Sequence, residues 1–186
     1  VQTCALPISD DRIVLLSVGE LNENKNHESV VRALAGMKNI TYVLVGKGER
    51  KEELEKIANE LNVDLRLTGF RTDVANFYDA ADVYILPSIR EGLNVSLMEA
   101  MATALPCLCG NIRGNVDLVE QGKGGFLFKP GEVESIRSAI EKVAALSSDE
   151  RTEKGYYNLK KIRAFDLQTV DNLSSEIYRG GYEHLI

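Results

Sequence analysis

Cysteine is scarce in this sequence. Its 186 residues hold three, Cys4, Cys107 and Cys109. An odd number without framework spacing excludes a disulfide-stapled secreted scaffold and points to a reducing compartment, so a cytoplasmic location is expected. Cys107 and Cys109 stand two apart on an expected strand, share a face, and read as small buried apolar residues rather than a zinc pair. Positive charge is also short: 22 Lys and Arg against 28 Asp and Glu leave a net charge of −6. That balance argues against nonspecific nucleic-acid binding, which needs a basic surface. No apolar run approaches the ~20 residues of a membrane-spanning helix. Val1 to Ser9 lacks a signal-peptide charge pattern and contains Pro7. The usual phosphate-loop fingerprints are missing as well. Gly46-Lys47-Gly48 could be a phosphate-approach turn or a plain strand-ending turn. Lys51 stands where G-x-G-x-x-G needs its third glycine, and no G-K-[ST] occurs. With no G-x-G-x-x-G after the first strand, an ordinary NAD-binding domain is disfavoured. Internal repeats and low-complexity segments are absent.

What is present looks like one soluble globular unit. The apolar fraction is 44% and the charged fraction 27%, both ordinary. Short apolar, β-branched runs alternate with segments of helical periodicity. The runs are 13–18, 40–45, 65–67, 83–86, 105–109 and 125–128; the helical segments include 27–37, 49–61, 73–81 (which Asp73 can cap), 116–120, 132–146 and 149–163. This alternation predicts an α/β fold, a Rossmann-like open parallel six-stranded sheet with helices on both faces. Residues 1–11 are expected to be a linker end or cloning scar on a fragment, 12–165 the domain, and 166–186 a final helix weakened by Gly180-Gly181.

The chain is organised around Ala81–Glu99, ADVYILPSIREGLNVSLME. Its apolar run, bounded by Asp82 and Pro87, reads as a strand buried on both faces. A polar loop then carries Arg90 and Glu91, and a helix opens at Val95. The first turn of a helix has free N–H groups and attracts anions. Glu91 in the loop and Glu99 one turn into the helix give two carboxylates flanking an anion seat, which suits a ligand with both phosphate and hydroxyls. Loops beyond the carboxyl ends of the first five strands each hold a cation: Lys25, Lys47, Arg71, Arg90 and Arg113. The same rim also holds Glu20, Glu23, Glu49, Asp73 and Glu91, so charge alone leaves an anion site and a solvated rim equally open. His27 and His184 receive no role.

The segments SVGELNENKNHESVVRAL, VGKGE, LTGFRTDV, AADVYILPSIREGLNVSLMEAMATALP and GNVDLVEQGKGGFLF resemble, in order, the C-terminal donor-binding half of family 4 glycosyltransferases, retaining enzymes of the GT-B type. The resemblance runs from about Arg12 to the last helix. Its most specific element is Glu91-x7-Glu99, preceded by A-D-V-x-x-x-P-S. The resemblance implies that the chain is one half of a GT-B fold. It implies transfer of a glycosyl group from a UDP- or GDP-sugar to a saccharide or lipid-linked saccharide acceptor, in surface polysaccharide synthesis of the bacterial capsule and exopolysaccharide type. No cofactor and no obligatory metal are implied. Glu91 would contact the transferred sugar, and Lys25 would pair with the diphosphate. The amides of Gly92, Leu93, Asn94 and Val95 would face the sugar and diphosphate, and Glu99 would accept the ribose hydroxyls. Gly19 and Gly46 would let backbone approach the nucleotide, and Arg71 would border the base, with Glu20, Lys47 and Arg90 completing the donor site. Two departures stand out. Glu20 replaces a phosphate-touching Arg common in the family, and Asn94 replaces a common Gly while remaining able to cap a helix. The acceptor-binding N-terminal domain is the missing partner, to which the final helix with Leu173, Ile177 and Tyr178 would normally cross, and membrane contact is expected only through a full-length enzyme. The isolated chain is expected to fold, to bind nucleotide weakly and to transfer little or no sugar. Half of a GT-B nucleotide-sugar epimerase and a non-catalytic nucleotide-binding module are the competing readings.

Overall fold

The computed structural model describes residues 8–9, 11–92 and 94–163. Six strands run in chain order: β1 (Ile13–Val18), β2 (Ile40–Val45), β3 (Leu65–Gly69), β4 (Val83–Leu86), β5 (Cys107–Gly110) and β6 (Gly125–Phe128). Between and after them come α1 (His27–Ala33), α2 (Lys51–Glu60), α3 (Val74–Asp79), α4 (Val95–Ala102), α5 (Asn115–Leu118), α6 (Val133–Ala144) and α7 (Ser148–Ile162). The strands form one sheet in the order β3-β2-β1-β4-β5-β6, parallel at every pairing. This is the expected Rossmann-like sheet. Leu93, Cys4, His184 and the expected final helix with Leu173, Ile177 and Tyr178 lie outside the described residues.

The strands are apolar on both sides because both sheet faces are covered. Leu15, Val83 and Ile85 face one core, packed by Val30 and Val31 of α1, Leu54 of α2 and Ile136 and Ile140 of α6. Leu16, Tyr84 and Leu86 face the other, packed by Phe77 of α3, Leu97 and Met101 of α4 and Ile162 of α7. Cys107 and Cys109 point together into this second core, fully buried, as their spacing requires. Burial pushes both thiols up, so they stay protonated.

Several boundaries differ from the sequence expectation. β3 ends at Gly69 rather than Leu67, and α2 starts at Lys51 rather than Glu49. α1 stops at Ala33 rather than Met37, because Gly36 adopts a φ of 81° and Met37 N–H returns to the Leu34 carbonyl in a turn. β5 starts at Cys107 rather than Leu105, whose N–H closes on the Ala100 carbonyl at the end of α4. α5 spans Asn115–Leu118 rather than 116–120, starting straight after Gly114.

This strand order sets where a crevice opens. The chain builds outward from β1 to β3, then returns to β4 on the other side of β1. The helix after β1 packs on one face and the helix after β4 on the other. The loops leaving β1 and β4 therefore part in opposite directions and open a crevice at the carboxyl end of the sheet, where ligands of such sheets bind.

Candidate functional site

The loops after β1 and β4 are tied across this crevice by asparagines. Asn24 accepts the Ile89 N–H on its backbone carbonyl at 2.9 Å and the Arg90 N–H on its side-chain oxygen at 3.2 Å, while its Nδ2 donates to the Arg90 carbonyl at 3.0 Å. Asn26 starts α1 in the left-handed region, φ 53°, which Asn tolerates better than most residues. Its Nδ2 donates to the Pro87 carbonyl at 3.3 Å. Neither asparagine stood out in the sequence, where the run N-E-N-K-N looks like an ordinary polar loop.

Held between these stitches, Lys25 Nζ donates to Glu91 Oε1 at 2.6 Å, with side-chain exposures of 20% and 12%. Burial tends to raise the Glu91 carboxyl. The Lys25 hydrogen bond, with Ser88 and Asn94 beside it, outweighs burial and holds it below its ordinary value. Glu91 is therefore a carboxylate at neutral pH. The nearby Ser88 hydroxyl is fully buried. Gly92 is packed from beyond: a Cβ on Gly114, whose φ is 92°, would collide with the Gly92 carbonyl. The loop after β5 thus buttresses the loop that presents Glu91.

The helix that follows is capped as its sequence allows. Asn94 Oδ1 accepts the Leu97 N–H at 3.1 Å and the Ser96 hydroxyl at 2.7 Å. Since Ser96 spends its one hydrogen on Asn94, the Tyr84 hydroxyl, 2.6 Å from Ser96 Oγ, must be the donor of that contact. A tyrosine of the sheet thereby anchors the N-terminus of α4. One turn on, exposed Glu99 accepts on Oε2 from the Tyr78 hydroxyl at 2.9 Å.

A second buried chain runs beneath the Lys25 loop. The Ser17 hydroxyl donates to the Ile85 carbonyl at 2.5 Å and lies 3.0 Å from the Tyr42 hydroxyl, which lies 3.0 Å from His27 Nδ1. Ser17 has already used its hydrogen, so Tyr42 donates to Ser17 and His27 Nδ1–H donates to Tyr42. His27 Nε2 is then a bare lone pair, buried and without a partner. Burial pulls the His27 pKa down to about 3; the Glu20 carbonyl partly offsets this and the Lys25 charge adds to it. His27, which the sequence left without a role, belongs to the foundation of the loop carrying Lys25.

A third feature is an open, mainly apolar cavity of about 360 Å³ between the loops after β1, β2 and β3, lined by Val18, Gly19, Glu20, Val45, Gly46, Lys47, Phe70, Arg71 and Val74. Phe70 is 70% exposed at its edge, with Lys47 Nζ 5.8 Å from the ring centroid. Glu20 is held by Asn22 Nδ2 at 3.0 Å. The glycine at 46 is explained by the protein itself: a Cβ there would collide with the Gly19 carbonyl. Arg71 clasps Asp73 through two hydrogen bonds of 2.8 Å each and lies over Phe77. This occupies the carboxylate expected to cap α3, and the Asp73 side chain makes no cap bond. The Arg71 contact draws the Asp73 pKa down to about 2. Val95, Arg90 and Arg113 are exposed.

The structure thus brings Lys25 and Glu91 into direct contact, sets Gly92, Asn94 and Val95 at the start of α4, and sets Glu99 one turn further on. It gathers Gly19, Glu20, Gly46, Lys47 and Arg71 around the neighbouring cavity. Among the described residues, no cluster of three or more His, Cys, Asp and Glu side chains is arranged to hold a metal, and no helix is long and apolar enough to cross a membrane.

Residues 4–161 match the family model described as glycosyl transferases group 1, and the chain belongs to that family, GT-B in architecture and family 4-like. An Escherichia coli UDP-Gal:alpha-D-GlcNAc-diphosphoundecaprenol alpha-1,3-galactosyltransferase is 37% identical over 105 residues, covering 55% of this chain and 27% of that protein. The putative glycosyltransferase EpsD of Bacillus subtilis is 30% identical over 140 residues, covering 72% of this chain and 37% of its own length. The chain therefore spans only about a quarter to two fifths of these relatives. Among solved structures, sucrose-phosphate synthase of Thermosynechococcus elongatus superposes with a TM-score of 0.82 at 24% identity, over 96% of this chain and 47% of that one. Anabaena HepE in complex with UDP and glucose superposes with a TM-score of 0.77 at 23% identity, over 89% and 49%.

Proposed function

We propose that this chain is the donor-binding part of a retaining glycosyltransferase, taking a nucleotide-diphosphate sugar into the crevice between β1 and β4. The observation that supports this best is the Lys25–Glu91 pair, made by two loops that diverge from the switch point of the sheet. It places a cation suited to a diphosphate against a carboxylate suited to a sugar hydroxyl. The open end of α4 beside them adds free N–H groups for phosphate oxygens. Glu99, on the outer side of α4, is available to the ribose hydroxyls. Hydrogen bonds to a charged group contribute ~1.5–3 kcal/mol each, enough for a diol clamp to matter. The base would occupy the apolar cavity beside Phe70 and Arg71. Relatives and structural neighbours named for UDP-sugars or UDP favour uridine as the base.

In the reaction, the bond from the anomeric carbon to the diphosphate oxygen breaks and a bond to the acceptor hydroxyl forms, with retained configuration. The acceptor proton leaves with the diphosphate. Lys25 and the α4 N-terminus would stabilise the departing charge, a preorganised electrostatic role that asks for no metal. The acceptor, in this reading a saccharide or lipid-linked saccharide, would bind a preceding domain.

Calorimetric titration with UDP, GDP, ADP and their sugars, in EDTA, tests the reading. Binding of one base class, lost in Lys25→Ala and Glu99→Ala, supports it. Binding that survives both substitutions overturns the assigned site.

A further inference from the structure

We infer that Tyr78 is a positioning residue of the donor site, acting through Glu99 to set recognition of the ribose diol. This rests on the reading of Glu99 given above. Glu99 lies on the exposed side of α4, where a glutamate ordinarily samples many rotamers and must be ordered when a ligand arrives. Tyr78 removes that freedom. Its ring is 3% exposed, packed in a tilted contact with Tyr84 at a centroid distance of 5.9 Å. Its hydroxyl reaches from the core to Glu99 Oε2 at 2.9 Å. The Ser96 carbonyl, 3.1 Å from the same hydroxyl, is a second acceptor, but the phenol has one hydrogen and the nearer, charged oxygen takes it.

The lone-pair count makes this arrangement productive rather than competitive. A carboxylate offers about four acceptor positions. Tyr78 uses one on Oε2, which leaves one on that oxygen and two on Oε1, enough for two adjacent hydroxyls. The tyrosine therefore fixes the orientation of the carboxylate without filling it. Burial, followed by the neighbouring Tyr84 and Glu99, pushes the Tyr78 phenol upward, so it remains a donor across the working pH range.

The test compares UDP with 2′-deoxy-UDP, and GDP with 2′-deoxy-GDP, on the full 186-residue chain. It uses the wild type, Tyr78→Phe, Glu99→Ala and the double variant, with thermal melts to confirm folding. The wild type should prefer the ribose form of whichever nucleotide it binds. Tyr78→Phe should weaken that form by about three- to tenfold, the cost of ordering one flexible side chain, and leave the deoxy form unchanged. In the Glu99→Ala background, Tyr78→Phe should change nothing further. Equal loss for ribose and deoxy forms, or a Tyr78→Phe effect that persists without Glu99, would mean a merely structural tyrosine and overturns the inference. A wild type that binds neither nucleotide, or does not distinguish ribose from deoxyribose, overturns the Glu99 reading and this inference with it. The inference alone fails if the wild type discriminates and Tyr78→Phe discriminates equally well.

Discussion

Two ion pairs at the same rim of the sheet use the same chemistry to different ends. Arg71 and Asp73 are two residues apart, each one-third exposed, and close on each other within a single loop. Lys25 and Glu91 are 66 residues apart and mostly buried, and join loops from opposite sides of the switch point. The local pair shapes its own loop and consumes the residue expected to cap α3. The distant pair rests on Asn24, Asn26, His27 and the α4 cap. The difference shows where a charge is held in place by the fold rather than by its neighbour, and such prepaid positioning suits a ligand site.

Removing Lys25 should break the contrast most severely. Lys25→Ala leaves a mostly buried carboxylate without its lysine partner and strips the crevice of its central cation. Affinity for the bound nucleoside diphosphate should fall about 100-fold, and stability by roughly 2 kcal/mol. Calorimetry and denaturant melts read both, and a loss of less than fivefold in affinity would remove Lys25 from the site.

Acid should next separate the two loops, because only the Lys25 loop stands on a buried histidine. His27 titrates near 6.5 in the unfolded chain and at about 3 in the fold. The native state is fully favoured above pH 6.5. As pH falls toward 3, the unfolded state takes up a proton the native state refuses. Stability should drop by roughly 1.4 kcal/mol per pH unit below 6.5, hence by about 2 kcal/mol at pH 5, still above the range of the depressed carboxylates. A His27→Gln variant should show a flat profile between pH 6.5 and 5. An equally steep profile in the variant would assign the acid sensitivity elsewhere.

Glu91→Gln sharpens the comparison with a change of opposite sign. The carboxylate and an incoming diphosphate compete for one ammonium group. Neutralising Glu91 should raise affinity for the nucleoside diphosphate by about three- to tenfold, while reducing the extra affinity gained from an attached sugar. Weaker diphosphate binding in this variant would show that Glu91 helps the anion rather than opposing it.

The smallest effect belongs to the local pair. Arg71→Ala should cost under ~1 kcal/mol, as exposed pairs do. The Asp73 carboxyl should return from about 2 toward its ordinary range, visible by NMR titration. Loss of the fold would contradict the view of this pair as self-contained.

The sheet was legible because its strands are short and apolar between Gly and Pro, and every strand end was placed to within two residues. Glu91 and Glu99 were legible from spacing, since a loop followed by one helical turn fixes where both can be. Tyr78, Tyr84 and Tyr42 were not, because a tyrosine in an apolar segment looks the same whether its hydroxyl is anchored or idle. Asn24 and Asn26 were hidden in a polar run whose partners lie more than 60 residues away. Asp73 looked like a helix cap because sequence shows an acceptor before a helix but not the arginine that claims it.

By itself the sequence determined the alternation of strand and helix, the burial of the sheet on both faces, the cap at Asn94 and the position of Glu91 and Glu99 around the start of α4. These follow from periodicity and local hydrogen bonding, which act over a few residues. Only the tertiary structure decided the order of strands, and with it that the loops after β1 and β4 face each other. That order brings Lys25 to Glu91, His27 to Tyr42 and Tyr78 to Glu99, because charge and hydrogen bonding select partners by distance in space, which the chain fixes only when its two cores close on the sheet.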